Sequence, residues 1–378
     1  MRILYFYPEN PLLKNQGNNA RALSLLNYFK NRNITVDFVG VAEDKFKQED
    51  IIEIEKSGLI KKGYLLNCFK RSKHQLKYFF CFSLPNKIFK KIKEFDRIRF
   101  GQKENFETIL KQNQYDYIII SYVYWANLVK NRSLCKNAKL LIDTHDFLTS
   151  QFQESKNFKL GKWFEKEISI LNTFDKILAI SIEEQFVFSQ FIDKEIKIVA
   201  HTLSNKSSLK TDPTYDIVYV ASDNDHNKKA VKWFFDKVYP LLPKNLKICV
   251  VGRISNYIDD YPNVEKNVFV EDLDSVYSAS RIAICPMLSG TGVKIKVIEA
   301  MSFGLPIVCN DRGVDGLTNK THNGCLVTNN EVEFAQNIEK LLSDSSYYDK
   351  VSTEAKIYFN ENHNQDTVYK ELDKIFNL

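Results

Sequence analysis

The chain has 378 residues, room for two domains at ~150 residues each. Hydrophobic residues make up 44% and charged residues 26%, and 27 Phe with 19 Tyr exclude a chain too polar to collapse. Lys and Arg number 53 against 47 Asp and Glu, a net +6 far below the charge density of a dedicated nucleic-acid binder.

In chain order, the apolar opening MRILYFYP is cut short by Pro8 and reads as a first strand rather than a leader. Strand candidates in the first half are 2–7, 34–41, 115–121, 138–143, 176–180 and 196–200. Those in the second half are 216–221, 247–252, 282–286 and 306–309. Helical periodicity fills the gaps at 20–30, 162–171, 229–238, 332–342 and 347–359. Such alternation predicts an α/β protein with two doubly wound, Rossmann-like parallel sheets. The polar segment HTLSNKSSLKTDPT (201–214) reads as the linker. The expected domains are therefore 1–203 and 214–355, facing each other across a cleft. No stretch reaches ~18 consecutive apolar residues, so no transmembrane helix is expected. Seven cysteines form no CxxC pair, which predicts a reduced, cytoplasmic chain without structural zinc or disulfides.

Doubly wound sheets bind ligands beyond the carboxyl ends of their strands. The strongest such signal is the window from Pro286 to Leu317, since six of the 13 glycines fall within 290–324. A strand candidate ending at Pro286 runs into Ser289-Gly290-Thr291-Gly292, and a helical pattern follows. Small residues let the backbone approach a diphosphate, and free amides at a helix start stabilise its charge. Lys294 and Lys296 add positive charge, and Glu299 suits a ribose diol. The G-x4-G-K-[ST] phosphate loop is absent.

The run GTGVKIKVIEAMSFGLPIV resembles the donor-site signature of family 4 glycosyltransferases. DIVYVASDNDHNKKAVKWFFDKVYPLL, LKICVVGR and VFVEDLDSVYSASRIAICPM are similar to the preceding parts of that family's donor domain. KNQGNNARALSLL, LLIDTHD and FDKILAISIEEQ resemble pieces of its acceptor domain, in the same order. The resemblance implies the GT-B fold and a retaining hexosyl- or glycosyltransferase (EC 2.4). It also implies a last helix, about 356–378, packing back on the first domain. It makes 1–203 the acceptor-binding domain and 214–355 the nucleotide-sugar donor-binding domain.

Residue by residue, Glu299 matches the second glutamate of the family's E-x7-E pattern, while Thr291 stands where the first should be. Some branches of the family carry a Gly/Ser/Thr-rich loop with a basic residue and a lysine instead; Lys294 and Lys296 fit that variant, and Lys294 is expected to meet the leaving diphosphate. Gly290, Thr291, Gly292 and Val293 would line the donor diphosphate. Ser222 occupies a position where many members carry arginine. His145 matches the histidine beside the transferred sugar, and Gly17 and Asn18 stand where the family often has Gly-Gly. Asn18 accepts a positive φ less easily than glycine does. The implied catalytic set is His145, Lys294 and Glu299.

Charge growing on a departing diphosphate is stabilised best by pre-aligned amides and ammonium groups. Neither a metal nor another cofactor is expected beyond the nucleotide sugar. Asp223-Asn224-Asp225 spells D-x-D, the metal motif of the other glycosyltransferase fold, but follows a strand where it reads as a helix-capping turn. Asp143, His145 and Asp146 lack a fourth ligand for a metal. A GT-B-fold nucleotide-sugar epimerase and a non-catalytic sugar-nucleotide-binding homologue are the alternatives, the latter suggested by Thr291.

Residues 70–99 hold ten Lys/Arg against Glu94 and Asp96, a surplus of 10 − 2 = +8. The rest of the chain therefore carries about −2 of the +6 total. Six aromatics interleave with these cations, and Pro85 is expected to split the stretch into two helices. An anionic membrane surface suits this composition, with Lys87, Lys90, Lys91 and Lys93 as the contact set. No nucleic-acid module accompanies it, and no nucleic-acid partner is expected. The resulting expectation is a glycosyltransferase of bacterial surface polysaccharide or glycoconjugate assembly. It would act on a glycan or lipid-linked acceptor, peripheral on the inner face of the plasma membrane.

Overall fold

The computed structural model describes residues 1–13, 17–88, 95–209, 211–290 and 292–378, the side chains of Cys81 and Asn86 excepted. Its contacts divide the chain into Met1–Ile198 and Val199–Leu378. Each unit is a parallel α/β sheet flanked by helices.

The first unit has seven strands: β1 (Arg2–Phe6), β2 (Thr35–Val41), β3 (Lys62–Leu66), β4 (Tyr117–Ser121), β5 (Lys139–Asp143), β6 (Lys176–Ala179) and β7 (Glu195–Ile198). Their order is β3-β2-β1-β4-β5-β6-β7, and the paired neighbours all run parallel. The second unit has six: β8 (Tyr215–Val220), β9 (Ile248–Val251), β10 (Val264–Asn267), β11 (Ser280–Cys285), β12 (Ile307–Cys309) and β13 (Cys325–Val327). Their order is β10-β9-β8-β11-β12-β13, again parallel. Central strands covered on both faces need apolar side chains at every position, and β4 (YIIIS) and β9 (ICVV) are buried throughout. Each such Ile or Val contributes about 1.5–3 kcal/mol by leaving water.

Chain direction across each sheet reverses once, between β1 and β4 in the first unit and between β8 and β11 in the second. At such switch points the loops leaving the two adjacent strands part to opposite faces and open a crevice. Tyr7 and Tyr122 follow β1 and β4. Ser222 and the Ser289–Gly292 loop follow β8 and β11.

All ten expected strands are present, and among the described residues three more appear. The additions, β3, β10 and β13, are edge strands, with polar or half-exposed residues such as VEKN in β10. The expected break at Pro85 does not occur. A helical path runs from Gln75–Tyr78 through a π-helical turn, Phe79–Ser83, into Leu84–Ile88. The expected second helix falls largely on 89–94, outside the described residues.

The described residues of 201–214 are tied down at several points. Leu203 bridges to Asn364, Lys206 N–H donates to the Ser302 carbonyl, and Thr211 N–H donates to that of Ser278. The C-terminal region forms two helices, Ser345–Asn362 and Gln365–Phe376, separated at His363 and capped by Asn364. Both group by contacts with the second unit. Among the described residues six cysteines are free thiols, and no helix is long and apolar enough to cross a membrane.

Candidate active site

In the first unit the loop after β5 is held at both ends by buried carboxyl groups. Thr144 Oγ1 donates to Glu184 at 2.7 Å, and Glu184 lies in the helix Ile182–Ser189. Glu167, in the helix Leu160–Leu171, accepts from the backbone N–H of Leu148 at 2.9 Å and of Thr149 at 2.8 Å. Burial pushes the carboxyls of Glu167 and Glu184 up to about 7, against the hydrogen bonds that favour their charge. His145 and Asp146 lie between these anchors.

His145 adopts φ +59° and Tyr122 φ +68°, a region that costs a non-glycine residue about 1–3 kcal/mol. Both strained residues belong to one column of rings. The His145 imidazole stacks on Tyr122 at 4.1 Å between centroids, and Tyr122 stacks on Tyr124 at 4.9 Å. Tyr7 lies beside both rings, 5.8 Å from His145 and 6.3 Å from Tyr122, and the Arg97 guanidinium sits 3.8 Å above Tyr124. Asn18 Nδ2 donates to the Tyr122 hydroxyl at 2.8 Å.

Beneath the column, Arg21 Nη2 and Nε donate to Asp143 Oδ1 at 2.6 and 2.9 Å, both side chains being buried. Asp143 Oδ2 lies 3.0 Å from His145 Nε2, close enough for an ion pair but out of line for a hydrogen bond. Although burial opposes ionisation, Arg21 and His145 hold the Asp143 carboxyl well below the usual carboxylate range. Gly17 and Asn18 begin the helix Gly17–Asn31, which carries Arg21. Asn18 has no positive φ, so the backbone at this position makes no demand for glycine.

In the second unit Gly290 and Gly292 have φ of +92° and +79°, values open to glycine at no steric cost. Lys294, buried, donates to the carbonyls of Gly292 at 2.6 Å and Gly290 at 3.3 Å. One ammonium thus fixes the loop from inside, with Asp315 Oδ2 4.0 Å away. Burial lowers the Lys294 pKa, against the pull of Asp315. Val293 packs against Gly316, where an added Cβ would stand 2.3 Å from its methyl. Thr291 lies outside the described residues.

Lys296 and Glu299 lie on the helix Ile295–Ser302. Lys296 Nζ donates to Asn227 Oδ1 at 3.0 Å, and Asn227 Nδ2 donates to the Ser222 carbonyl at 3.0 Å. Asn227 therefore ties the element after β11 to the loop after β8, where Ser222 is exposed. His226 Nδ1 lies 2.9 Å from Ser289 Oγ, closing the same junction at the glycine loop. Glu299 Oε2 accepts from the Tyr277 hydroxyl at 3.2 Å, and its other oxygen has no hydrogen-bond partner among the described residues. Burial raises the Glu299 pKa, opposed by Tyr277, Lys206 and Lys296.

The D-x-D residues are engaged otherwise. Asn224 Oδ1 caps the helix Asp225–Trp233 by accepting from Asn227 N–H at 2.9 Å. Asp223 lies 3.6 Å from Arg253 and Asp225 3.8 Å from Lys228. Among the described residues no three His, Cys, Asp or Glu are grouped to hold a metal. Lys87 is exposed, whereas Lys90, Lys91 and Lys93 lie outside the described residues.

The structure brings Gly17, Asn18 and His145 together in the first unit. It brings Ser222, Gly290, Gly292, Val293, Lys294 and Glu299 to neighbouring elements of the second. Sequence reading missed Tyr7, Tyr122, Tyr124 and Arg97 as site residues in the first unit, and His226, Asn227 and Tyr277 in the second. Asp146, beside His145, was weighed only as a metal ligand.

Comparison with known proteins gives three kinds of likeness. The family model for glycosyl transferases group 1 matches residues 214–344. A Klebsiella pneumoniae protein named "Uncharacterized 44.6 kDa protein in cps region" is 24% identical over 301 residues, 72% of this chain and 77% of that protein. Among solved structures, sucrose-phosphate synthase from Thermosynechococcus elongatus superposes with a TM-score of 0.72 at 14% identity, covering 100% of this chain and 98% of the other. TarM gives 0.71 at 13% identity, covering 100% and 99%. Anabaena HepE in complex with UDP gives 0.69 at 14% identity, with each chain covered in full, 100% and 100%. The chain has the two-domain α/β fold of GT-B glycosyltransferases, and its residues 214–344 match the glycosyl transferases group 1 domain.

Proposed function

We propose that this protein is a retaining, metal-independent glycosyltransferase that moves a sugar from a nucleotide-sugar donor to a glycan or lipid-linked acceptor. The observation that carries this reading is the loop after β11. Two glycines at positive φ there lead through Lys294 into the helix Ile295–Ser302, within the stretch that matches the group 1 model. The loop amides and helix start receive the diphosphate, and Lys294 keeps the loop in shape while lending its charge. The unpartnered oxygen of Glu299 accepts from the nucleotide ribose. HepE and TarM have been solved with UDP, HepE also with UDP-glucose, which supports a nucleotide-sugar donor. The cps-region relative supports a role in surface polysaccharide assembly.

As the anomeric C–O bond breaks, negative charge grows on the diphosphate, and pre-oriented groups stabilise it without reorganising. In front-face substitution the acceptor hydroxyl attacks from the side the diphosphate leaves, so no protein nucleophile is needed. His145, fixed by Asp143 and by the ring column, orients the transferred sugar rather than acting as a base. Incubation with a panel of nucleotide sugars tests this reading. Release of free nucleotide only when acceptor is present is the expected result. A changed sugar still attached to nucleotide indicates epimerisation, and absence of binding to every donor refutes both enzyme readings.

The acceptor side is proposed to meet an anionic bilayer at the inner face of the plasma membrane. Leu76, Phe79, Phe80 and Ile88 are 77%, 48%, 60% and 63% exposed. The neighbouring Lys70, Arg71, Lys73 and Lys87 are exposed as well. Apolar tips amid cations suit a charged headgroup layer, at about 1 kcal/mol per surface cation. Flotation with anionic liposomes is expected to carry the chain upward, and equal flotation after neutralising Lys87, Lys90, Lys91 and Lys93 counts against this surface.

A further inference from the structure

We propose that Asp146 reads a hydroxyl of the sugar ring that lies against His145, its carboxylate accepting the hydrogen bond. This rests on the glycosyltransferase reading and adds to it a residue that fixes which sugar is accepted. The carboxyl groups that anchor the β5 loop and the base of its histidine are already satisfied. Asp143 is held by Arg21, Glu184 by Thr144 and Glu167 by the Leu148 and Thr149 amides. Asp146 is partly buried in the same loop and has no hydrogen-bond partner among the described residues.

No Asp146 oxygen is both fully enclosed and unpartnered, so the carboxylate reaches solvent and a ligand hydroxyl can take the place of water there. Sugars supply hydroxyl donors, and the loop is clamped at Thr144 and at Leu148–Thr149, which holds the carboxylate in place before the ligand arrives. The strained, stacked His145 fixes the adjoining backbone. A site built to accept a hydroxyl rejects analogues that lack it, because its own polar group is then left unpaired.

The charged and titratable groups facing Asp146 are His145 and Arg97, the phenols of Tyr122 and Tyr124, and Glu167 and Glu184. Glu9 faces His145 and Arg97 across the same loops. Burial outweighs the attraction of His145 and Arg97 and moves the Asp146 carboxyl up to about 6. The ionised, hydroxyl-accepting form is therefore lost as pH falls through that value.

The experiment uses the full chain with an active donor–acceptor pair, comparing wild type, Asp146→Ala and Asp146→Asn. Asp146→Ala is expected to lower kcat/KM about 30-fold, the loss of one charged hydrogen bond. Affinity for the free nucleoside diphosphate should stay as in the wild type, and the melting temperature should not fall, because removing a desolvated, unpartnered carboxylate favours the fold above its pKa. One deoxy-sugar should cost the wild type about 30-fold and cost Asp146→Ala less than threefold. If that sugar is the donor the hydroxyl is the donor's, and if it is the acceptor the hydroxyl is the acceptor's. Asp146→Asn, whose amide oxygen still accepts, should recover part of the rate and lose the acid limb near pH 6. Wild-type kcat/KM in Asp146→Ala, or equal losses for every deoxy-sugar in both proteins, overturns the inference alone. A wild-type chain that turns over no nucleotide sugar overturns the function beneath it and the inference together.

Discussion

Arg21→Met removes the cation beneath the ring column while keeping much of the side-chain volume. Arg21 and Asp143 have side-chain exposures of 3% and 0%, and Arg21 donates through two nitrogens at 2.6 and 2.9 Å. Removing one partner of such a buried pair strands the other charge and costs about 3–5 kcal/mol. For a unit of this size each kcal/mol lowers the melting temperature by about 2–4 °C, so a fall of about 6–20 °C is expected. Urea and thermal unfolding of Arg21→Met, Asp143→Asn and the double variant read the effect. The double variant should be markedly less destabilised than the two single losses added together. The pH dependence has a defined sign. Asp143 ionises more readily folded than unfolded, so its contribution is present above about pH 4 and fades as pH falls further. The gap between wild type and Arg21→Met should therefore narrow between pH 5 and pH 2. A single-variant loss below about 1 kcal/mol, or strict additivity, would refute the claim that this pair holds the His145 platform.

Glu184 has the opposite sign, since its folded pKa is raised to about 7. Its protonated form favours the fold, so stability should fall as pH rises from about 4.5 to 7, and Glu184→Gln should flatten that slope in unfolding curves. Lys294→Met is expected to weaken nucleoside diphosphate binding about 10- to 100-fold by calorimetry, the range for a lost charged hydrogen bond, and unchanged affinity would remove Lys294 from the donor site. Asn224→Ala should cost about 1 kcal/mol in unfolding experiments through the lost helix cap. Turnover in excess chelator should equal turnover with added divalent metal, and a metal requirement would restore the D-x-D motif as a candidate ligand set.

The central strands were legible because each must be apolar on both faces, a pattern that survives without any alignment. β3, β10 and β13 were not, since an edge strand such as VEKN shares its polar, half-exposed composition with loops. The helical path through Pro85, with a π-helical turn just before it, is announced by no local residue preference. At the site, the glycine loop and DTHD were visible as short motifs. The ring column was not, because Tyr7, Arg97, Tyr122 and His145 meet only through the sheet order that sets β1 beside β4 and β4 beside β5. Lys294 illustrates a subtler gap. Its charge was read as aimed at the diphosphate, and its position shows a second task, gathering the carbonyls of Gly290 and Gly292.

The most direct measurement follows free nucleotide release from a panel of nucleotide sugars, with and without a glycan acceptor, while NMR reports the anomeric configuration of the product. Acceptor-dependent release from one donor, a product that keeps the donor's anomeric configuration, and loss of both in Lys294→Met are expected. Inverted product would contradict the proposed retention. No binding or turnover with any nucleotide sugar would contradict the proposed function itself.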